Sequence, residues 1–125
     1  MNVLIGIDDS PFSRAALDHV KRLTWPAGTK FLVVSASAPV FVGPGEAAAP
    51  GAIAGLIEQQ ETSHRGLADR AAAELKSAGF SVAAKMVPAD PRGALIDEAK
   101  RMSADLVVVG SHGRSGLTKL LLGSV

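Results

Sequence analysis

Two stretches of this sequence carry residue types that could do chemistry. The first is Asp8-Asp9-Ser10, three polar residues that end an apolar run beginning at Asn2. The second is the glycine series Gly110-x2-Gly113-x9-Gly123-Ser124, which ends the apolar run Ala104 to Gly110. A carboxylate at a strand end can accept hydrogen bonds from ribose hydroxyls or face a metal ion. Glycine at Gly110 and Gly113 lets a main chain approach a sugar or phosphate with no Cβ in the way. Gly123-Ser124-Val125 looks like the start of a further helix, whose free N–H groups and positive dipole end make an anion site. The Ser124 hydroxyl adds a donor there, and Arg114 and Lys119 on the same stretch could lend charge.

Plainer explanations stand beside these. Asp9 and Ser10 serve as well as caps for a following helix. For Asp8, still attached to the strand, the capping explanation is weaker. The glycine series could be a bare β–α turn. It is neither a phosphate loop of the Gly-Lys-Ser/Thr kind nor a Gly-x-Gly-x-x-Gly fingerprint.

The elements that must position these residues follow from the pattern. Asn2 to Asp8 is nearly continuously apolar, which suits a strand covered on both faces. Ser10 is an N-cap with Pro11 at the first helical position, and Phe12, Ala16, His19, Val20 and Leu23 then recur at helical spacing. "KFLVVSAS" reads as a second strand. Pro39 to Gly51 is a loop rich in proline and glycine, of a length that is often functional. A long helix is expected from about Ile53 to Ala78, closed by Gly79. "FSVAAKMV" is a third strand, "DPRGALIDEAKRM" an amphipathic helix begun by Pro91, and Ala104 to Gly110 the clearest buried strand. Strands separated by helices predict right-handed crossovers, a parallel sheet and an open, doubly wound α/β fold. In such sheets ligands bind beyond the carboxyl ends of the strands, where the strand order reverses. If the first and fourth strands are neighbours, both polar ends open into one crevice.

Composition narrows the partners. The chain has 125 residues, a single domain's length, and its 13 basic and 12 acidic residues leave a net charge of +1. That balance gives no electrostatic argument for nucleic acid or an anionic membrane. Aromatic residues are only 4% of the chain and Tyr is absent, so base-stacking platforms lack material. With no Cys, disulfides and thiolate metal sites are excluded. Asp8 interrupts the first apolar run before a signal-like stretch develops, and no apolar run approaches a membrane span. A cytoplasmic domain is expected.

"LIGIDDS", "ADLVVVGSHGRSGLTKLLLGSV" and the strand order between them resemble the universal stress protein family, over the whole chain. In that family Gly-x2-Gly-x9-Gly-Ser/Thr marks the members that bind ATP, and this sequence carries the pattern complete. The resemblance implies a Rossmann-like sheet of the adenine nucleotide alpha hydrolase kind. It implies ATP with Mg2+ as ligand, and a nucleotide-responsive stress or signalling role. Residue by residue, Asp8 would contact the ribose, with Gly6 and Ile7 lining the adenosine pocket beside it. Ala36 would offer main-chain groups to the adenine edge, and Gly110 and Gly113 would lie along ribose and phosphates. Gly123, Ser124 and Val125 would bind the phosphate chain. No catalytic or metal-ligating side chain is implied. Family members continue beyond Gly-Ser-Val into a helix and a fifth strand, which in many pairs across a homodimer. The expectation is therefore one domain over residues 1–125, C-terminally incomplete, with its fifth strand missing and its dimerisation tied to that strand.

Other residues carry less. His112 has no nucleophile pattern beside it, and His19 and His64 lack metal-ligand spacing. "HRGLADRAAAELK" reads as a solvated helix face, and Trp25 as a packing residue. Three rival functions remain. A phosphoacceptor receiver domain needs an acceptor Asp at its third strand, and Asp90 stands too far along the chain for that. A nucleotide-consuming enzyme lacks a nucleophile and a general base here, so hydrolysis would be slow at most. A dimeric scaffold of the same family that no longer binds nucleotide is the alternative.

Overall fold

Val3, Leu4 and Ile5 are all wholly buried, because the strand they form is covered on both faces. The computed structural model describes residues 1–38 and 50–110. In chain order these form β1 (Asn2–Gly6), α1 (Pro11–Arg22), β2 (Lys30–Ala36), α2 (Pro50–Ser77), β3 (Ser81–Val87), α3 (Pro91–Arg101) and β4 (Leu106–Val108). The strands make one parallel sheet in the order β3-β2-β1-β4. Pairing runs from Asn2 opposite Lys30 to Gly6 opposite Val34, and Val3 to Ile5 face Leu106 to Val108.

The sheet steps from β1 through β2 to β3, then crosses back to place β4 on the other side of β1. Right-handed crossovers in the two directions put their helices on opposite faces. Accordingly Leu17 and Val20 of α1 and Ala68, Ala71 and Leu75 of α2 share one core with Val3, Ile5, Phe31 and Val33. Leu95 of α3 packs on the other face with Leu4 and Val34. The reversal of strand order therefore falls between β1 and β4, as the doubly wound expectation requires.

Local chemistry fixes the helix ends. Ser10 caps α1, accepting from the Ser13 amide at 3.3 Å, and Pro11 opens the first turn. Asp90 does the same for α3, accepting from the Arg92 amide at 3.2 Å. At the end of α2 the Phe80 amide donates to the Leu75 carbonyl and the Gly79 amide to that of Lys76, at 3.0 and 2.9 Å. This closing pattern requires a left-handed residue, and Gly79 supplies it with φ +95°. Trp25 is a packing residue, as its sequence context suggested. It stacks edge-on to Phe31 at 5.2 Å and donates to the Val20 carbonyl at 2.9 Å.

Several expectations are corrected. The buried arc of α1 is Ser13, Leu17 and Val20, whereas Phe12, His19 and Leu23 are exposed. A hydroxyl, Ser13, was the hidden member of that arc, drawn inward by its bonds to Asp8. α2 begins at Pro50 rather than near Ile53. "HRGLADRAAAELK" is not simply a solvated face, because it buries Ala68, Ala71, Ala72 and Leu75. Nor is β4 a buried strand: Leu106 and Val107 are 39% and 44% exposed. Among the described residues β4 is an edge strand of three residues, paired with β1 alone. No helix among the described residues is long and apolar enough to cross a membrane.

Candidate functional site

Where β1 ends, the chain must turn from the sheet into α1, and Asp8 organises the turn. Its Oδ1 accepts from the Ser10 amide and from the Ser13 hydroxyl, both at 2.9 Å. The Asp8 amide in turn donates to Ser13 Oγ at 2.9 Å. Asp8 thus takes part in the capping network of α1, more than its place on the strand suggested.

β2 runs past β1 at this level. The last bond between them is from the Ile7 amide to the Val34 carbonyl, at 2.9 Å. The alternation that turns Val34's main chain toward β1 turns Ala36's the same way, one step beyond that bond. Ser37 points oppositely, its amide donating to the Val87 carbonyl of β3 at 2.8 Å.

Above these strand ends lies a cavity of about 360 Å3, enclosed by α2 on one side and α3 on the other. That volume is within the range of small-molecule sites. Gly6, Ile7, Asp8, Asp9, Val34 and Ala36 line it from the sheet. Four of these, Gly6, Ile7, Asp8 and Ala36, are residues singled out from the sequence. Gly6 also has a packing reason. A Cβ there would lie 2.9 Å from a Leu95 methyl and 3.1 Å from Val109 Cγ1.

Gly110 is not among the lining residues of this cavity. A Cβ on it would stand 2.8 Å from the carbonyl carbon of Phe12 and 2.9 Å from its oxygen. The close approach that glycine permits at this position is therefore to the first turn of α1. Gly113, Gly123, Ser124 and Val125 lie outside the described residues, as do His112, Arg114 and Lys119.

The helices add residues that the sequence did not point to: Ser63, His64, Leu67 and Arg70 from α2, and Pro91 and Leu95 from α3. His64 Nδ1 is 2.8 Å from the hydroxyl of Ser35 on β2. Arg70 folds back over Gly66, where a Cβ would sit 3.0 Å from its Nη1. Among the described residues Arg70 has no hydrogen-bond or ion-pair partner. The signal for His64 was helical spacing, since it precedes Ala68, Ala71 and Leu75 on the buried arc of α2.

A second recess, of about 470 Å3, lies between α1 and α2 and shares Asp8, Asp9 and Arg70 with the first. Its other charges are already paired. Glu74 accepts from both terminal nitrogens of Arg14 and from Lys21 Nζ, the last at 2.6 Å. Arg14 and then Lys21 hold the Glu74 carboxyl down at about 2, against an ordinary 4.5. The same contacts raise Arg14 and Lys21, and Arg14 lowers Asp18. Charges so committed are poorly placed to receive a ligand, which leaves the first cavity as the candidate site. Among the described residues no group of three or more His, Cys, Asp or Glu could hold a metal ion.

A parallel sheet with helices on both faces, and a cavity at the carboxyl ends of its central strands, defines an α/β domain of the doubly wound, Rossmann-like class. The model of the universal stress protein family matches residues 1–125, and the chain belongs to that family. A universal stress protein of Mycolicibacterium smegmatis is 37% identical over 124 residues, covering 98% of this chain and 40% of the relative. The chain thus spans about two fifths of that curated relative's length. A family member of Burkholderia pseudomallei superposes with a TM-score of 0.75 at 25% identity, covering 98% of this chain and 89% of the other. A universal stress protein solved in complex with cAMP gives 0.66 at 26% identity, covering 100% and 86%.

Proposed function

We propose that this chain is an adenine-nucleotide-binding module that takes ATP in the cavity over β1 and β2. The observation that carries the reading is the convergence of Gly6, Ile7, Asp8 and Ala36 on one cavity of about 360 Å3. Ala36 supports it further, because a strand residue beyond its last ladder bond can pair a base edge through main-chain N–H and C=O. Asp8, braced by Ser10 and Ser13, is held in one place for ribose hydroxyls. Gly110 and Gly113 would run beside ribose and phosphates, and Gly123, Ser124 and Val125 would hold the phosphate chain. The complex of a relative with cAMP is consistent with an adenine nucleotide as the ligand class.

Mg2+ belongs to the reading only as a companion of the phosphates. With no donor cluster among the described residues, the nucleotide itself would hold the ion, as Mg2+ commonly is held. The module binds and signals rather than turning over, and any hydrolysis is slow. Nucleotide occupancy changes its shape or assembly in the cytoplasm, homodimerisation included.

Calorimetric titration with ATP and Mg2+, beside a Gly113→Val variant, tests the reading. Micromolar binding by the parent, abolished in a folded variant, is the expected result. A folded parent that does not bind ATP removes the nucleotide reading and leaves the dimeric scaffold in its place.

A further inference from the structure

We propose that His64 is a hydrogen-bond donor to the ligand of this cavity, and that Ser35 sets it to that task. The inference rests on the nucleotide reading of the cavity and adds a ligand contact from α2.

Ser35 is wholly buried on β2, and its side chain faces α2 as those of Phe31 and Val33 do. Among the described residues its hydroxyl has one partner, His64 Nδ1, at 2.8 Å. A buried hydroxyl that only accepted would leave its own proton without an acceptor, which is costly. A hydroxyl that donates strands no proton and leaves only lone pairs unfilled. Ser35 therefore donates to Nδ1, and the neutral ring carries its proton on Nε2.

With Nδ1 committed to Ser35, the polar atom of the ring left for the cavity is Nε2. His64 lines the same cavity as Ala36, the residue after Ser35. A flat heterocycle lodged on the end of β2 meets the main-chain pair of Ala36 at its edge. It meets one fixed side-chain donor, Nε2–H, from α2. The ligand this arrangement selects is a purine nucleotide that turns an acceptor nitrogen or oxygen toward the helix. Ser35 touches no ligand; it is a positioning residue, acting through the tautomer.

The test combines ATP calorimetry on the parent, His64→Phe, His64→Gln and Ser35→Ala with nitrogen NMR of the His64 ring in mildly alkaline buffer. In the parent the ring is protonated at Nε2. His64→Phe weakens ATP binding about fivefold to tenfold, the loss of one hydrogen bond. His64→Gln, whose amide reaches about where Nε2 lies, recovers most of it. Ser35→Ala weakens binding about threefold and mixes the tautomers, which a merely structural serine would not do. Parent-like affinity in a folded His64→Phe, or a parent ring protonated at Nδ1, overturns the inference while the nucleotide reading stands. A parent that binds no ATP overturns both.

Discussion

Asp8 and Ser13 hold each other twice. The Ser13 hydroxyl donates to Asp8 Oδ1 and accepts from the Asp8 amide, each at 2.9 Å. The pair fixes how the chain leaves β1 and where α1 begins, and so fixes one wall of the cavity. Ser13→Ala removes both bonds and leaves a partly buried carboxylate with a poorer set of donors. The expected cost is about 1–3 kcal/mol in urea unfolding. A loss within error of zero would mean that the brace does not hold the turn.

Gly110 and Gly55 make opposite predictions for one substitution. Alanine at Gly110 drives a methyl into the main chain of Phe12, where no side chain can move aside. Overpacking of that kind costs about 1–3 kcal/mol. At Gly55, exposed within α2, a Cβ meets nothing within 4 Å. Gly55→Ala raises stability by about 0.5–1 kcal/mol through helix propensity. Thermal unfolding of the two variants against the parent separates the effects by sign.

Acid weakens the bond between α1 and α2. The Glu74 carboxyl sits at about 2 in the folded chain against 4.5 ordinarily, because Arg14 and Lys21 stabilise its charged form. A depressed carboxyl contributes stability that is complete above its unfolded value and lost as pH falls toward its folded one. The contribution therefore declines between about 4.5 and about 2. Arg14, raised by the same contacts, stays charged throughout. Urea midpoints measured across that window fall less steeply in Glu74→Gln than in the parent.

Among the described residues Arg70 supplies an uncommitted positive charge at the edge of the cavity. If the cavity takes a nucleotide, Arg70→Ala weakens ATP binding about threefold to tenfold and lessens its dependence on salt. Calorimetry at two salt concentrations measures both effects together.

Much of the fold was legible because each element carries its own local signal. Ser10-Pro11 and Pro91 announced two helix starts, Gly79 announced an end, and the apolar run of β1 announced a covered strand. Of the sheet-side residues of the cavity, Asp8 was legible as a polar strand end, whereas Gly6, Ile7 and Ala36 came only with the resemblance to the universal stress protein family. On the α2 side the spacing of His64 with Ala68, Ala71 and Leu75 marked an inward helix face, but not the cavity that face meets. His64 and Arg70 reach the cavity only because α2 crosses β2 and β3, and that packing is a property of the tertiary fold. β4 misled for the complementary reason. Leu106 and Val107 have the composition of a buried strand, but their burial depends on what lies beside them.

The central claim is that ATP occupies the cavity at the ends of β1 and β2, and mapping backbone amide shifts during an ATP titration tests it most directly. The expected shifts concentrate at Gly6 to Asp9, at Ala36 and around His64, with β3 and the far end of α2 unmoved. No shifts at saturating ATP, or shifts confined to residues away from that cavity, would contradict it.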